Sequence, residues 1–83
     1  MYIAVLDNGF VFVCGDLTRD GDGYTLTRAR CIRTWGTSEG LGELVNGPTT
    51  TTVLDRQIPI MSVPSHAMLF TFPVSAVWAA QLS

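Results

Sequence analysis

A cluster of arginines directly precedes a tryptophan and two hydroxyl side chains in the middle of this sequence. Three of the five basic residues fall in this stretch. An arginine guanidinium bonds phosphate or carboxylate groups in pairs, an indole offers a stacking face, and a helix start presents unpaired N–H groups. These residue types in this order predict a site for a small anionic ligand. The candidate ligand-binding residues are Arg28, Arg30, Arg33, Trp35, Thr37 and Ser38.

A second interpretation of the same residues is purely structural. Trp35 would then be a core residue, and the arginines would pair with acidic side chains such as Asp16, Asp55 or Glu43. Exposed ion pairs of that kind are common and contribute little to stability. The sequence alone leaves both interpretations open.

A long strand must position most of these residues, and we expect it to run from Tyr24 to Trp35. Strict alternation would put Leu26 on one face of the strand and Ala29 on the opposite face. We expect a bulge near Thr27 or Arg28, because one extra residue moves every later side chain to the other face. Beyond that point the side chains should divide between two faces. Arg28, Arg30 and Ile32 share one face, and Cys31, Arg33 and Trp35 share the other.

A short helix should follow this strand. Gly36 ends the strand, and Thr37 or Ser38 would serve as N-cap of a helix that runs through about Asn46. Its apolar residues recur at helical spacing, and Gly47-Pro48 stops it. The apolar residues are Leu41, Leu44 and Val45.

The elements before and after this region read as strands with one further helix. Asp7-Asn8-Gly9 predicts a hairpin between strands Tyr2 to Leu6 and Phe10 to Leu17, followed by a polar connection over Thr18 to Gly23. Further expectations are a β-prone segment at Thr49 to Leu54, an edge strand or extended arm at Ile58 to Val63, and a strand at Ala67 to Phe72 with Met68, Phe70 and Phe72 on one face. Ser75 would cap a C-terminal helix through Leu82, with Val77, Trp78 and Leu82 on its apolar side.

Together these elements predict an α+β fold in one domain, residues 1–83. The sheet would be mostly antiparallel, with about five to six strands, one short central helix and the C-terminal helix. Hydrophobic residues make up 47% of the chain and charged residues only 14%. A small domain of this composition is expected to cover apolar surface by forming a homo-oligomer.

Charge and titratable residues exclude several classes of function. The net charge of −2 disfavours capture of duplex nucleic acid. His66 has no ligand partner at metal-binding spacing, and no carboxylates pair in an acid–base motif, so we expect no enzyme, no metal and no cofactor.

No apolar run reaches the roughly 20 residues of a membrane span. With no secretory features at Met1-Tyr-Ile-Ala, Cys14 and Cys31 are expected to be free thiols of an intracellular protein.

The residues from Thr27 to Leu44, with Asn46-Gly47-Pro48, Thr52 to Asp55 and a tryptophan-bearing tail, resemble a group of small phage and prophage proteins of unknown function. In that group an arginine-containing strand leads into a tryptophan or tyrosine, a small-residue turn and a short leucine-rich helix. The resemblance covers roughly Tyr24 to Trp78. It implies a mobile-element origin and a location in the bacterial host cytoplasm, and it supplies no binding residue.

The expected function is therefore that of a non-enzymatic, phage-type accessory protein. The first hypothesis is a binding module that sequesters a small anionic, nucleotide-like ligand in counter-defence. The second is an inhibitor that binds a host defence protein through an apolar face or an exposed strand edge. The third is a small structural or decoration protein of the virion.

Overall fold

The computed structural model describes residues 1–82, and half of them belong to one curled, antiparallel sheet that forms a half-barrel. The strands are β1 (Tyr2–Leu6), β2 (Val11–Cys14), β3 (Asp16–Asp20), β4 (Gly23–Thr34), β5 (Val53–Leu54), β6 (Ile58–Pro64) and β7 (Met68–Pro73). Three 3-10 helices lie at Leu41–Asn46, Ser65–Ala67 and Ala76–Trp78, and helix α1 spans Ala79–Leu82. The mostly antiparallel sheet is confirmed, with 7 strands instead of five to six.

Strand β4 organises the sheet because it pairs with four other strands. Its N-terminal half pairs with β3 along one edge and with β6 along the other. Its C-terminal half pairs with β2 and with the short β5. Strand β1 joins β2 to β7, which completes the half-barrel.

The hairpin around Asp7-Asn8-Gly9 is confirmed. Gly9 has φ 90°, a conformation that glycine adopts without steric cost. The Leu6 amide donates to the Phe10 carbonyl at 2.9 Å, and the Phe10 amide donates to Asn8 Oδ1 at 3.1 Å. This turn fixes the register of β1 and β2, in which Val5 pairs with Val11.

The predicted single strand from Phe10 to Leu17 and the polar connection from Thr18 to Gly23 are wrong. Gly15 separates β2 from β3, and β3 continues to Asp20 before a tight turn. Cross-strand contacts stabilise these polar residues in a strand: Thr25 Oγ1 donates to Asp20 Oδ2 at 2.6 Å, and the Arg19 guanidinium lies 5.4 Å from the Tyr24 ring centroid. The polar composition therefore indicates an exposed edge strand and not a loop.

The predicted change of face within β4 is confirmed. The predicted cause, a bulge that inserts one extra residue near Thr27 or Arg28, is not. Leu26 and Ala29 both belong to the same buried cluster, as the two phases required. Thr27 pairs with Asp16 of β3, and Arg30 pairs with Val13 of β2. The two positions are three residues apart on each side of the pairing, so β4 has no extra residue between them. The switch instead coincides with Arg28, whose φ of 51° lies in the left-handed region. Its guanidinium lies over Gly15, where any β-carbon would collide with it.

The sheet carries a hydrophobic core on each face. The outer core is covered by the 3-10 helix Leu41–Asn46 and the C-terminal helices, and its buried members are Ile3, Val11, Val13, Ile32, Leu44, Trp78 and Leu82. The inner core fills the curl of the sheet, and its buried members are Ala4, Leu6, Phe12, Cys14, Leu26, Ala29 and Val63. Alternation along β1 and β2 divides these residues between the two cores.

The predicted central helix from Thr37 or Ser38 is wrong, because only the 3-10 helix Leu41–Asn46 forms. Gly40 has φ 95°, which no helical residue adopts, so the segment before Leu41 stays extended. The C-terminal helix is confirmed, although it begins as 3-10 helix and only Ala79–Leu82 is α-helical. Ser75 Oγ accepts the Val77 amide as the predicted cap, but Val77 itself is 60% exposed instead of packed.

Two further expectations for the C-terminal half needed correction. Met68 packs on the inner core and Phe72 on the outer core, because the pairing of β7 with β1 shifts register between Val5 and Leu6. Most of the segment from Thr49 to Leu54 is a turn, and only Val53–Leu54 is a strand. The edge strand was predicted correctly: within residues 1–82, β6 pairs with β4 alone.

None of the helices within residues 1–82 has the length and apolarity to cross a membrane.

The two tryptophans allow a matched test of the outer core. Trp78 is fully buried and its Nε1 donates to the Leu44 carbonyl at 2.7 Å. We expect Trp78→Phe to lower the free energy of unfolding by about 2–3 kcal/mol, since it leaves a cavity and removes the indole donor from the Leu44 carbonyl, which keeps only the Gly47 amide at 3.1 Å. Trp35→Phe, at an exposed site, should lower it by less than about 1 kcal/mol. Urea denaturation of both variants measures this difference, and equal losses would contradict the assignment of Trp78 to the core.

Candidate functional site

A pocket of about 490 Å³ opens at one end of the half-barrel, where the β1–β2 turn, the end of β4 and the segment before β6 meet. We call it the mouth pocket. It is lined by Gly9, Phe10, Val11, Phe12, Cys31, Ile32, Arg33, Trp35, Asp55, Arg56 and Ile58. Phe12 and Cys31 also contact the inner core, so the floor of the pocket is the end of that core. Mouths of curled sheets are frequent sites for small ligands.

Aromatic side chains form two walls of the mouth pocket. Phe10 follows the hairpin turn and is 56% exposed, while Trp35 follows β4 and is 40% exposed. Phe10 meets the more deeply placed Phe12 edge to face, with ring centroids 6.5 Å apart. Large exposed rings beside a concave surface can stack on a flat ligand at low conformational cost.

The polar wall consists of an ion pair and a further arginine. Arg33 Nη2 lies 2.7 Å from Asp55 Oδ1, with side-chain exposures of 70% and 34%. Such an exposed pair is held weakly, so Arg33 can turn toward another anion. Arg56 is exposed and makes neither a hydrogen bond nor an ion pair within residues 1–82. With one paired and one unpaired arginine, this wall carries a net charge of about one positive unit at neutral pH.

Three threonine hydroxyls hold the backbone at Trp35. Thr52 Oγ1 donates to the Trp35 carbonyl at 2.7 Å, and Thr49 Oγ1 donates to the Gly36 carbonyl at 2.6 Å. Thr51 Oγ1 adds a third bond, at 3.2 Å, to the same Gly36 carbonyl. Gly36 has φ 71°, and a β-carbon there would lie 2.6 Å from the backbone of Thr51. The threonine-rich turn therefore fixes where the chain leaves β4 and where the indole points.

The structure divides the arginines that the sequence grouped together. Arg33 and Trp35 line the mouth pocket together with Cys31 and Ile32. Arg28 lies outside the pocket, over Gly15. Arg30 points to the other side of the sheet, where it donates to three backbone carbonyls: Asp55 at 2.6 Å, Gln81 at 2.9 Å and Leu54 at 3.4 Å. Arg30 thus joins the C-terminal helix to the segment that carries Asp55.

Thr37 and Ser38 also lie outside the mouth pocket. The amides of Ser38 and Glu39 both donate to Glu43 Oε1 at 3.0 Å, and Ser38 Oγ adds a contact at 3.4 Å. The donors expected to receive an anionic ligand therefore bind a carboxylate of the same chain. Because the helix begins only at Leu41, these amides cap a turn instead of opening toward a ligand.

Of the residues that line the pocket, sequence reasoning named only Arg33 and Trp35 as ligand-binding. It missed Phe10, Phe12, Arg56 and Ile58 among others, and it treated Asp55 only as a partner for arginine. An aromatic residue directly after an Asn-Gly turn must lie at the end of a hairpin, and that signal was available for Phe10. The others come from segments far apart in the chain, which only pairing with β4 brings together.

Burial makes the two thiols poor nucleophiles. Burial raises the pKa of Cys14 to about 11. Burial also raises the pKa of Cys31, and the negative charge of Asp55 raises it further. Within residues 1–82 no group of three or more His, Cys, Asp or Glu side chains is placed to hold a metal ion. The side chains that line the mouth pocket offer stacking, apolar contact and charge pairing.

A change at Thr52 tests the role of the threonine turn. Thr52→Val keeps the shape of the side chain but removes the hydrogen bond to the Trp35 carbonyl. We expect a loss of about 1 kcal/mol of stability and stronger quenching of tryptophan fluorescence by acrylamide, because buried Trp78 is shielded and Trp35 gains mobility. Thr50→Val is the matched control, since the Thr50 hydroxyl makes no hydrogen bond within residues 1–82. Identical quenching in both variants would show that Thr52 does not position the indole.

Thiol alkylation tests the difference between the two cysteines. Raised pKa values leave less reactive thiolate at mildly alkaline pH, so Cys31 should react more slowly than a free thiol and continue to gain rate above the pH at which a free thiol levels off. Cys14 should react only after unfolding. Mass spectrometry of the native protein and of Cys31→Ser, which retains only Cys14, measures both rates. Rapid native labelling of Cys31→Ser would contradict the burial of Cys14.

Comparison of the chain with protein-family models, with curated proteins and with solved structures finds no match in any of the three. The basis for a functional proposal is therefore the geometry of the mouth pocket.

Proposed function

We propose that this protein is a non-enzymatic binding module that holds a small ligand with a flat, apolar part and an anionic group in the mouth pocket. The flat part would stack between Trp35 and Phe10, above Phe12 and Ile58. The anionic group would bind Arg56, while Arg33 stays paired with Asp55. The observation that carries this proposal is the grouping around one concave surface of two exposed aromatic rings and an arginine, Arg56, that has no side-chain partner among residues 1–82.

The size and lining of the pocket support this proposal. Small-molecule sites commonly span roughly 300–1,000 Å³ and combine apolar walls with a few polar groups that fix orientation. The mouth pocket, at about 490 Å³, meets both criteria. Since Phe10 and Trp35 are exposed, a ligand that covers them would recover the free energy of burying apolar surface.

A nucleotide is a natural example of such a ligand, because it combines a planar base with a phosphate. Stacking of a base on an aromatic side chain contributes about 1–3 kcal/mol, and a charge-assisted bond about 1.5–3 kcal/mol. Under this proposal the resemblance to phage and prophage proteins supplies the biological setting, in which the protein withdraws a nucleotide signal of the host's defence.

Capture of a protein segment is a second candidate, and the apolar character of the same pocket favours it. Ile58 on the pocket rim and Ile60, 68% exposed on the same strand, extend the apolar surface beyond the cavity. An apolar side chain of a host defence protein could occupy the pocket and lie against this strip. Such a partner would depend on Trp35 but not on Arg56, which separates it from an anionic ligand.

Ligand binding is tested by a thermal-shift and fluorescence panel of flat anions. The panel contains anilinonaphthalene sulfonate and cyclic and linear nucleotides. We expect at least one to raise the melting temperature, and Trp35→Leu and Arg56→Gln each to weaken its binding by about tenfold or more. Arg28→Gln is the control, because it removes the same charge outside the pocket. The proposal fails if no compound stabilises the protein, or if all three variants bind like the parent.

A further inference from the structure

The mouth pocket contains a carboxylate as well as two arginines, and this charge balance limits the ligand it accepts. Asp55 is part of the pocket wall and its side chain is only 34% exposed. Its charge is balanced by Arg33 at 2.7 Å. Arg56 is then the remaining positive charge of the lining, and the chain as a whole carries a net charge of −2.

We propose that Asp55 makes the mouth pocket selective for ligands with a single negative charge, such as a phosphodiester, sulfonate or carboxylate, over phosphomonoesters and polyphosphates. This inference rests on the proposed binding function and names the class of ligand. One anionic charge on the ligand is matched by Arg56. A second charge at the same position would draw Arg33 away from Asp55 and leave that carboxylate unpaired beside the ligand.

The position of Asp55 supports this selectivity. Its backbone carbonyl accepts Arg30 Nε at 2.6 Å, and its backbone amide donates to the Cys31 carbonyl at 2.9 Å, so the residue is fixed at both backbone groups. These bonds fix the backbone from which the side chain projects, and the contact of Asp55 Oδ1 with Arg33 Nη2 at 2.7 Å holds the carboxylate in the pocket wall. A partly buried charge is also screened less by solvent and salt than an exposed one.

The electrostatic effect of Asp55 inside the pocket is visible at a second group. Cys31 lies in the pocket wall; burial raises the pKa of its thiol most, the Asp55 charge raises it further, and the Arg33 charge lowers it by less than Asp55 raises it. A developing thiolate and the second charge of a phosphomonoester face the same carboxylate. Each is disfavoured for the same reason, namely repulsion between like charges in a partly desolvated site.

The structure also distinguishes Asp55 from the other acidic residues. Glu43 bonds the turn amides of Ser38 and Glu39, Asp16 and Asp20 bond threonines of β4, and Asp22 lies in the β3–β4 turn. None of these side chains lines the mouth pocket. Selectivity by charge number therefore depends on Asp55 alone within the pocket lining.

A matched pair of nucleotides tests the inference. Adenosine 3′,5′-cyclic monophosphate carries one negative charge and adenosine 5′-monophosphate carries nearly two at neutral pH, while the base is the same. Isothermal titration should show the cyclic compound binding about tenfold or more tightly to the parent protein. In Asp55→Asn the preference should fall to about threefold or less, chiefly because the monophosphate gains affinity. Asp22→Asn, which changes the net charge equally but outside the pocket, should keep the parent preference.

The outcomes separate this inference from the proposed function. Equal binding of both nucleotides, with dependence on Trp35 retained, overturns the selectivity and leaves the binding site standing. An unchanged preference in Asp55→Asn also overturns the role of Asp55. If neither nucleotide nor anilinonaphthalene sulfonate binds in a manner that depends on Trp35, the binding function fails and the selectivity fails with it. Faster alkylation of Cys31 in Asp55→Asn is expected independently of any ligand.

Discussion

The left-handed conformation of Arg28 is the constraint on which the architecture of this protein depends. It changes the face toward which the later side chains of β4 point, so that Leu26 and Ala29 both fill the inner core although they are three positions apart. The same change sends Cys31, Arg33 and Trp35 to the mouth of the half-barrel. A non-glycine residue in this conformation is unfavourable by about 1–2 kcal/mol. Because Gly15 has no side chain, there is room over it for the guanidinium of Arg28.

Alternation along β4 then gives neighbouring arginines different roles. Arg30 points to the outer side, where backbone carbonyls surround its guanidinium and it holds the C-terminal helix to the segment before β6. Arg33 points to the mouth, where solvent and Asp55 are its neighbours. An arginine surrounded by carbonyls has a structural role because its donors are already used. An exposed arginine in a weak pair keeps donors that a ligand can recruit.

Charge is distributed unevenly along the chain, which has a charged part up to Arg56 and an apolar part after it. The seven acidic and five basic residues all lie between Asp7 and Arg56. Later residues supply apolar contacts to both cores, backbone pairing in β6 and β7, and the capped C-terminal helix. The mouth pocket lies where the two parts meet, since Asp55 and Arg56 end the charged part and Ile58 begins the apolar one.

Local signals in the sequence determined the β1–β2 hairpin, the long β4 strand with its change of face, the edge strand β6 and the Ser75 cap, because each depends on neighbouring residues alone. They also identified Arg33 and Trp35 together. Tertiary structure decided the rest. The threonine turn bonds the end of β4, and Phe10, Asp55, Arg56 and Ile58 converge on one pocket. These contacts join distant segments, and which partners meet is fixed only when the strands pair and the sheet curls.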